Sequence, residues 1–388
     1  MKRRNLFLRM LLRSVSYILV AALAAFGALY FFTEEPRYSK LVELEDLIHE
    51  RFIGDLDPVA MEDSAAAGMV AALGDKWSYY IPADQYAAHM EQMQNAYVGI
   101  GVTISTEFVK DGVEVLQVEP DGGAKAAGIQ TGDIILTVED KNIAEIGIDE
   151  AKNLIRGEEN TQVKLTILRG EEKMALQVTR QIVQMLVASG QMLEGNIGLV
   201  KINNFDERCA DETLAAVEEL LNQGAQKLIF DVRFNPGGYK TELVEILDYL
   251  LPEGPLFRSL SYTGKETVDE SDADCLEMPM AVLINGSSYS AAEFFAAALN
   301  EYDWAVVVGE PTVGKSYFQN TILLQDGSAV GLSVGKYFTP NGVSLADEGG
   351  LQPEVKMEVE DETAAKIYSG ELAPMEDPQI LAAVEALK

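Results

Sequence analysis

The stretch 281-AVLINGSSYSAAEFFAAAL-299 runs from a wholly apolar segment, through three serines, into residues with helical spacing. It reads as a buried strand followed by a helix, and the joint carries the hydroxyls of Ser287, Ser288 and Ser290. One reading of the joint is structural. Ser290-Ala-Ala-Glu293 fits a capping box, in which a serine and a glutamate satisfy the open backbone N–H groups at a helix start. The other reading is chemical: a nucleophilic hydroxyl on a strand-to-helix turn lies where a helix N-terminus favours developing negative charge. The stretch alone leaves both open.

Around it, residues 195–360 alternate apolar runs at 197–202, 228–230, 280–284 and 305–308 with helical periodicity at 210–222, 241–251 and 291–300. That alternation predicts an α/β domain. Upstream, from 97 to 180, the pattern changes to β-branched runs (VGIGVTI, GVEVLQV, GDIILTVED, QVKLTIL, KMALQVT) separated by glycine-containing turns and two helical pieces near 123–127 and 148–155. Residues 40–94 read as helices, with Leu41, Leu44, Leu47, Ile48 and Phe52 and then Met69, Val70 and Leu73 at helical spacing. The segment 73-LGDKWSYYIP-82 is turn-rich and aromatic and by itself suggests no chemistry.

Composition narrows the partners. The chain of 388 residues is long enough for two or three domains, and its net charge of −32 argues against nucleic acid or an anionic membrane surface as a partner of the folded part. Lys2, Arg3, Arg4, Arg9 and Arg13 precede residues 14–32, which hold no charged side chain. As a helix they would extend about 28 Å, close to a hydrocarbon core. The basic flank predicts a cytoplasmic N-terminus, with everything after Phe32 outside. A cleaved signal peptide is the competing reading, since Ala22-Leu23-Ala24 resembles a cleavage site, but the apolar run continues to Phe32 and favours an anchor. Cys209 and Cys275 allow at most one disulfide, and both read as buried thiols.

A serine nucleophile needs a base. The only histidines, His49 and His89, lie in the N-terminal helical region, which excludes a Ser-His-Asp triad within the α/β domain. A lysine kept partly neutral by apolar surroundings can replace histidine. Lys315 in 304-WAVVVGEPTVGKSYFQ-319 is the candidate, on a glycine turn after an apolar strand. Residues 309–316 also satisfy the phosphate-loop spacing G-x-x-x-x-G-K-S, yet Glu310 would face phosphate and Pro311 offers no N–H.

Taken together, Ser290-Ala-Ala-Glu293, Lys315 and Gln319, preceded by 231-DVRFNPGG-238, resemble the carboxy-terminal processing peptidases, also called tail-specific proteases. The segment 97–180 likewise resembles a PDZ domain, with Gly99-Ile100-Gly101-Val102 in place of its carboxylate-binding loop and Ala126-Ala127-Gly128-Ile129 and 131-TGDII-135 following it. The resemblance implies Ser290 as nucleophile, Lys315 as general base and Gln319 as the group that orients the lysine. It implies an oxyanion hole formed by Ala291 N–H and one N–H of Gly237 or Gly238, which the sequence does not separate. Asp231, Arg233 and Asn235 read as turn-bracing groups. Tyr289 stands where the family has a small residue, and 347-DEGGLQPEV-355 follows the family's turn only loosely.

The expected architecture is multi-domain: a basic cytoplasmic tail (1–13), a transmembrane helix (14–32), a helical region (33–94), a PDZ domain (95–181), a ClpP/crotonase-like α/β protease domain (182–360) and a C-terminal helical region (361–388). The expected function is a single-pass, membrane-anchored serine endopeptidase. It acts on extracytoplasmic proteins whose free C-termini the PDZ loop 99–102 receives, through an acyl-enzyme and without metal or cofactor. Arg156, after the second PDZ-like helix, is the candidate for a gating contact with the protease domain. A homodimer is expected through apolar faces of the 40–94 helices and of 379–387. A nonproteolytic PDZ scaffold, a crotonase-like acyl-CoA enzyme and an NTPase are the alternatives.

Overall fold

In the computed structural model, residues 38–388 are described, together with Leu19 and Ala22. The expected membrane span at 14–32 lies outside the described residues, apart from those two. Among the described residues no helix is long and apolar enough to cross a membrane. The segment Met1–Ala65 and the segment Ala66–Lys388 are separate compact units. In the first, the helix Ser39–Arg51 has no buried residue, and Leu41, Val42, Leu44 and Leu47 are exposed along it.

The apolar runs at 197–202, 228–230, 280–284 and 305–308 form the parallel core that their composition predicts. Strands Ile197–Ile202, Lys227–Asp231, Met280–Ile284 and Ala305–Gly309 lie side by side, all parallel. Antiparallel Ala188–Leu193 flanks one edge and the short Val355–Lys356 the other. Parallel strands must be covered on both faces. One face packs on helices Cys209–Asn222, Lys240–Leu250 and Ala291–Glu301 through Phe205, Phe230, Phe294, Phe295 and Leu247. The other is covered by helix Pro378–Ala386, whose Ile380 and Ala383 join Leu387 against Ile229, Leu283 and Val308. Each buried Ile, Leu, Val or Phe side chain here contributes about 1.5–3 kcal/mol of apolar burial. The C-terminal segment therefore spends its apolar face inside the monomer, which removes that half of the expected dimer surface.

A second sheet was not apparent from periodicity. Ala329–Phe338 pairs antiparallel with Tyr317–Leu323, Gly254–Ser261 and Tyr79–Ile81, and Gly254–Ser261 continues to Glu266–Ser271. These strands are half-exposed and mix apolar with polar residues, so they lack the unbroken apolar runs that marked the first sheet. Tyr79–Ile81, from a region expected to be helical, is thereby built into the sheet that follows Lys315.

The PDZ-like segment has its own core of Ile100, Val113, Ile135, Val163 and Leu165, among others. Its sheet runs in the order Val102–Val109, Gly112–Val118, Ile134–Val138, Gln162–Arg169, Glu172–Thr179, with the helix Ile148–Ile155 packed on it. Two short strands, Ala96–Gly99 and Gln181–Gln184, pair with each other as a stalk below it. Cys209 is buried, whereas Cys275 is exposed, a correction to the expectation that both thiols are interior; neither is in a disulfide.

Candidate active site

Ser290 has φ 57° and ψ −126°, in the left-handed region that costs a residue with a Cβ on the order of 1–3 kcal/mol. The strain is held by its surroundings. Ser290 N–H donates to Glu293 Oε2 at 2.8 Å, so the glutamate half of the capping box is present. The helix Ala291–Glu301 begins at the next residue. The other serines have structural positions. Ser288, fully buried, donates to Val232 O at 2.7 Å and accepts from Asn285 N at 3.0 Å, and exposed Ser287 donates its N–H to Asn285 Oδ1.

The 231–238 turn packs directly against this elbow. A Cβ on Gly237 (φ 87°) would lie 2.8 Å from both Ala291 N and Ser290 Cβ, so only glycine permits the approach. Gly237 N–H donates to Asn235 Oδ1 at 2.8 Å, and Gly237 O accepts from Phe205 N at 2.7 Å. Tyr239 N–H returns to Phe205 O, closing a parallel bridge across Gly238. The exposed Gly238 N–H is left without an acceptor among the described residues. Hydrogen bonding thus separates two glycines that the sequence could not. Asn235, Asp231 and Arg233 brace the turn as expected. Asn235 Nδ2 holds Ile202 O, and Arg233 meets both oxygens of Asp231 (2.8 and 2.6 Å), Gln379 Oε1 and Asp377 Oδ2. Burial opposes the Arg233 charge, but the carboxylates of Asp231 and Asp377 beside it hold its pKa above the ordinary value.

Glu293 joins the two halves of the site. Its buried carboxylate accepts from Ser290 N and Lys315 N on Oε2 (both 2.8 Å), and from Thr312 Oγ1 and Gly314 N on Oε1. Desolvation nonetheless raises its pKa, with the four donors opposing. The same contacts dispose of the phosphate-loop reading: Glu293 takes the amides that would cradle a phosphate, and a strand, Tyr317–Leu323, follows Lys315 in place of a helix.

The Lys315 side chain lies in an aromatic slot, its Nζ 4.8 Å from the Trp77 ring centre and 5.8 Å from that of Tyr289. The two rings stack at 6.0 Å. Desolvation lowers its pKa, opposed by the charges of Glu293 and Asp75. No hydrogen bond joins Lys315 Nζ to Ser290 or to Gln319 in this arrangement. Gln319 donates instead to Ser333 Oγ at 2.9 Å and to Tyr317 O at 3.2 Å. Asp75, Trp77 and Ser78, on the turn that seemed to carry no chemistry, are thus part of this surround. Some 240 residues separate Asp75 from Lys315 in the chain, and no local pattern in the sequence links them.

In the PDZ-like unit, the carbonyls of Ile100 and Gly101 accept from Ala124 N and Glu119 N, while the amides of Ile100 and Gly101 donate to no backbone carbonyl. Val102–Val109 is an edge strand, and Ile148–Ile155 belongs to the same domain core. An open edge with free amides at its start is the geometry for adding a strand that ends in a carboxylate. The contact made by Arg156 is with the Tyr97 ring of the stalk, at 5.3 Å, and not with the catalytic candidates.

Comparison with known proteins follows the same outline. The family model for peptidase family S41 matches residues 196–357, and that for the PDZ domain matches 114–169. The carboxy-terminal processing protease CtpA of Bacillus subtilis is 32% identical over 334 residues, covering 85% of this chain and 71% of that protein. This chain belongs to the carboxy-terminal processing proteases of peptidase family S41. It is a serine-type peptidase with C-terminal processing activity. A probable CtpA-like serine protease of Staphylococcus aureus is 29% identical over 333 residues, covering 84% of this chain and 66% of the relative. Among solved structures, an S41 protease of Bacteroides fragilis aligns with TM-score 0.52 at 16% identity, over 87% of this chain and 92% of that one, a likeness of fold. The photosystem II D1 C-terminal processing protease aligns with TM-score 0.48 at 26% identity, over 82% of this chain and 86% of that one.

Proposed function

We propose that this processing protease cleaves peptide bonds with Ser290 as nucleophile and Lys315 as general base. The observation that carries the reading is the strained Ser290 elbow, packed on Gly237 and sharing one Glu293 oxygen with the Lys315 backbone. Neutral Lys315, moved out of its aromatic slot, accepts the Ser290 proton as Oγ attacks the scissile carbonyl. The oxyanion accepts from Ala291 N–H and Gly238 N–H, donors typically worth about 3 kcal/mol each. The lysine ammonium then protonates the departing amine, leaving an acyl-enzyme. Water, deprotonated by the same lysine, releases the acid. Gln319 orients the lysine through its side-chain carbonyl.

Substrate C-termini enter the 99–102 loop, whose free amides suit a carboxylate. The uncharged segment 14–32 behind a basic tail supports an anchored protease with its substrates outside the cytoplasm. The exposed apolar row of Ser39–Arg51 suits pairing with a second copy. Either Ser290→Ala or Lys315→Ala is expected to abolish turnover, with the double variant no worse, since the pair acts as a unit. Because the lysine must be neutral, turnover rises with pH through a pKa below that of free lysine. Turnover retained in folded Ser290→Ala, with loss in Ser288→Ala, would displace the assignment.

A further inference from the structure

The turn 73–78 does more than fill space beside Lys315. Asp75 accepts from Ser78 Oγ at 2.6 Å. Ser78 Oγ accepts from Ser333 N at 3.1 Å, and strand Tyr79–Ile81 pairs with Ala329–Gly331 of the long strand, so the turn is fastened to the sheet that carries Gln319. The polarity of this network is determined by chemistry. A backbone carbonyl only accepts, so the Gln319 group that faces Tyr317 O must be its amide nitrogen. Nε2 donates as well to Ser333 Oγ. The amide nitrogen is thereby committed, and Oε1 is left as the free acceptor. Trp77, whose N–H returns to Asp75 Oδ1, places its ring against the lysine.

We propose that the turn 73–78 is a positioning element of the catalytic site: Asp75, acting through Ser78 and Ser333, holds the Gln319 amide with its oxygen offered to Lys315, and Trp77 shelters the lysine side chain from water. The inference rests on Lys315 as the base. The charged groups facing that lysine are Glu293, from the helix after Ser290, and Asp75. Lys76 Nζ also lies over the Trp77 ring, at 4.5 Å. Losing Asp75 removes one of the two charges that favour the ammonium. Losing Trp77 lets water reach it. The two losses therefore act on the lysine in opposite directions.

The test follows Ser290 acylation by a fluorophosphonate against pH, alongside peptide turnover, in the full chain. Asp75→Asn is expected to slow acylation about tenfold to a hundredfold, the scale of a misplaced reacting group, and to move the acid limb to lower pH. Ser333→Ala slows acylation without that movement, because the Asp75 charge stays. Trp77→Ala moves the limb to higher pH, and Trp77→Phe restores it. A turn that served folding alone would lower the amount of active protein and leave the limb in place. Limbs unmoved in folded Asp75→Asn and Trp77→Ala, with rates within about twofold of the parent, overturn the proposal. If Asp75→Asn does not fold, Ser333→Ala and Trp77→Ala decide by the same criteria. Acylation that persists with its acid limb in Lys315→Met defeats the dyad itself, an outcome distinct from failure of the turn.

Discussion

Ser290 follows a strand, Met280–Ile284, that is buried along its whole length, whereas Lys315 precedes a strand, Tyr317–Leu323, whose last four residues are exposed. The Ser290 side is made of backbone: a left-handed serine, a glycine that admits no Cβ, and a turn braced by Asn235 and Arg233. The lysine's side is made of side chains from distant stretches: Trp77, Tyr289, Asp75, Ser333 and Gln319. The first kind of construction is rigid because close packing and interior hydrogen bonds over-determine it. The second can rearrange with rotations about side-chain bonds, and here it holds the lysine in a slot away from Ser290 and Gln319. Glu293 is the joint between them.

Breaking the joint should have the largest effect. Glu293→Gln puts an NH2 where one oxygen now accepts two backbone or side-chain donors, leaving buried N–H groups unpaired at about 1–3 kcal/mol each. Several kcal/mol of stability and all turnover should go, as read by thermal unfolding and peptide cleavage. An unchanged unfolding midpoint would mean that the two halves stand independently. Next is the rigid side. Asp377→Asn leaves Arg233 with one carboxylate partner and, as a broken buried ion pair, is expected to cost about 3–5 kcal/mol. If the nucleophile side is as tightly determined as its packing suggests, Ser290 labelling should fall only as folded protein is lost, without a change in its pH profile. A shifted acid limb in this variant would blur the contrast with the lysine side. The smallest effect is at Phe234, which holds φ 60° within the 231–238 turn and packs edge-on to Tyr368 at 5.3 Å. Phe234→Asn relieves about 1–2 kcal/mol of left-handed strain but forfeits an aromatic contact of about 0.5–1.5 kcal/mol. Denaturant midpoints should therefore agree closely, and a large loss would show that the ring, not the backbone, sets the turn.

The same contrast explains what could be read in the sequence. Four apolar runs and their intervening helices announce the parallel sheet, because strands buried on both faces must be apolar throughout. Ser290 and 231-DVRFNPGG-238 are legible only through the family resemblance, since residues 281–299 by themselves leave a helix cap and a nucleophile both open. The antiparallel sheet was hidden because its half-exposed strands mix apolar with polar residues. Asp75 and Trp77 were hidden because their role exists only after a three-residue strand, Tyr79–Ile81, has paired with residues far along the chain. The difference in hydrogen bonding between Gly237 and Gly238 comes from the Asn235 side chain, which spacing alone does not reveal.

The contacts of Arg233 with Asp377 and Gln379 also impose an order on biosynthesis. A nascent chain that has emerged only as far as Lys315 or Gln319 already carries the proposed reacting groups. Its oxyanion turn still lacks two of the three side chains that grip Arg233, and the sheet beneath lacks the cover of Ile380 and Ala383. The brace on that turn and the cover of that face are therefore complete only once residues 377–383 have been made.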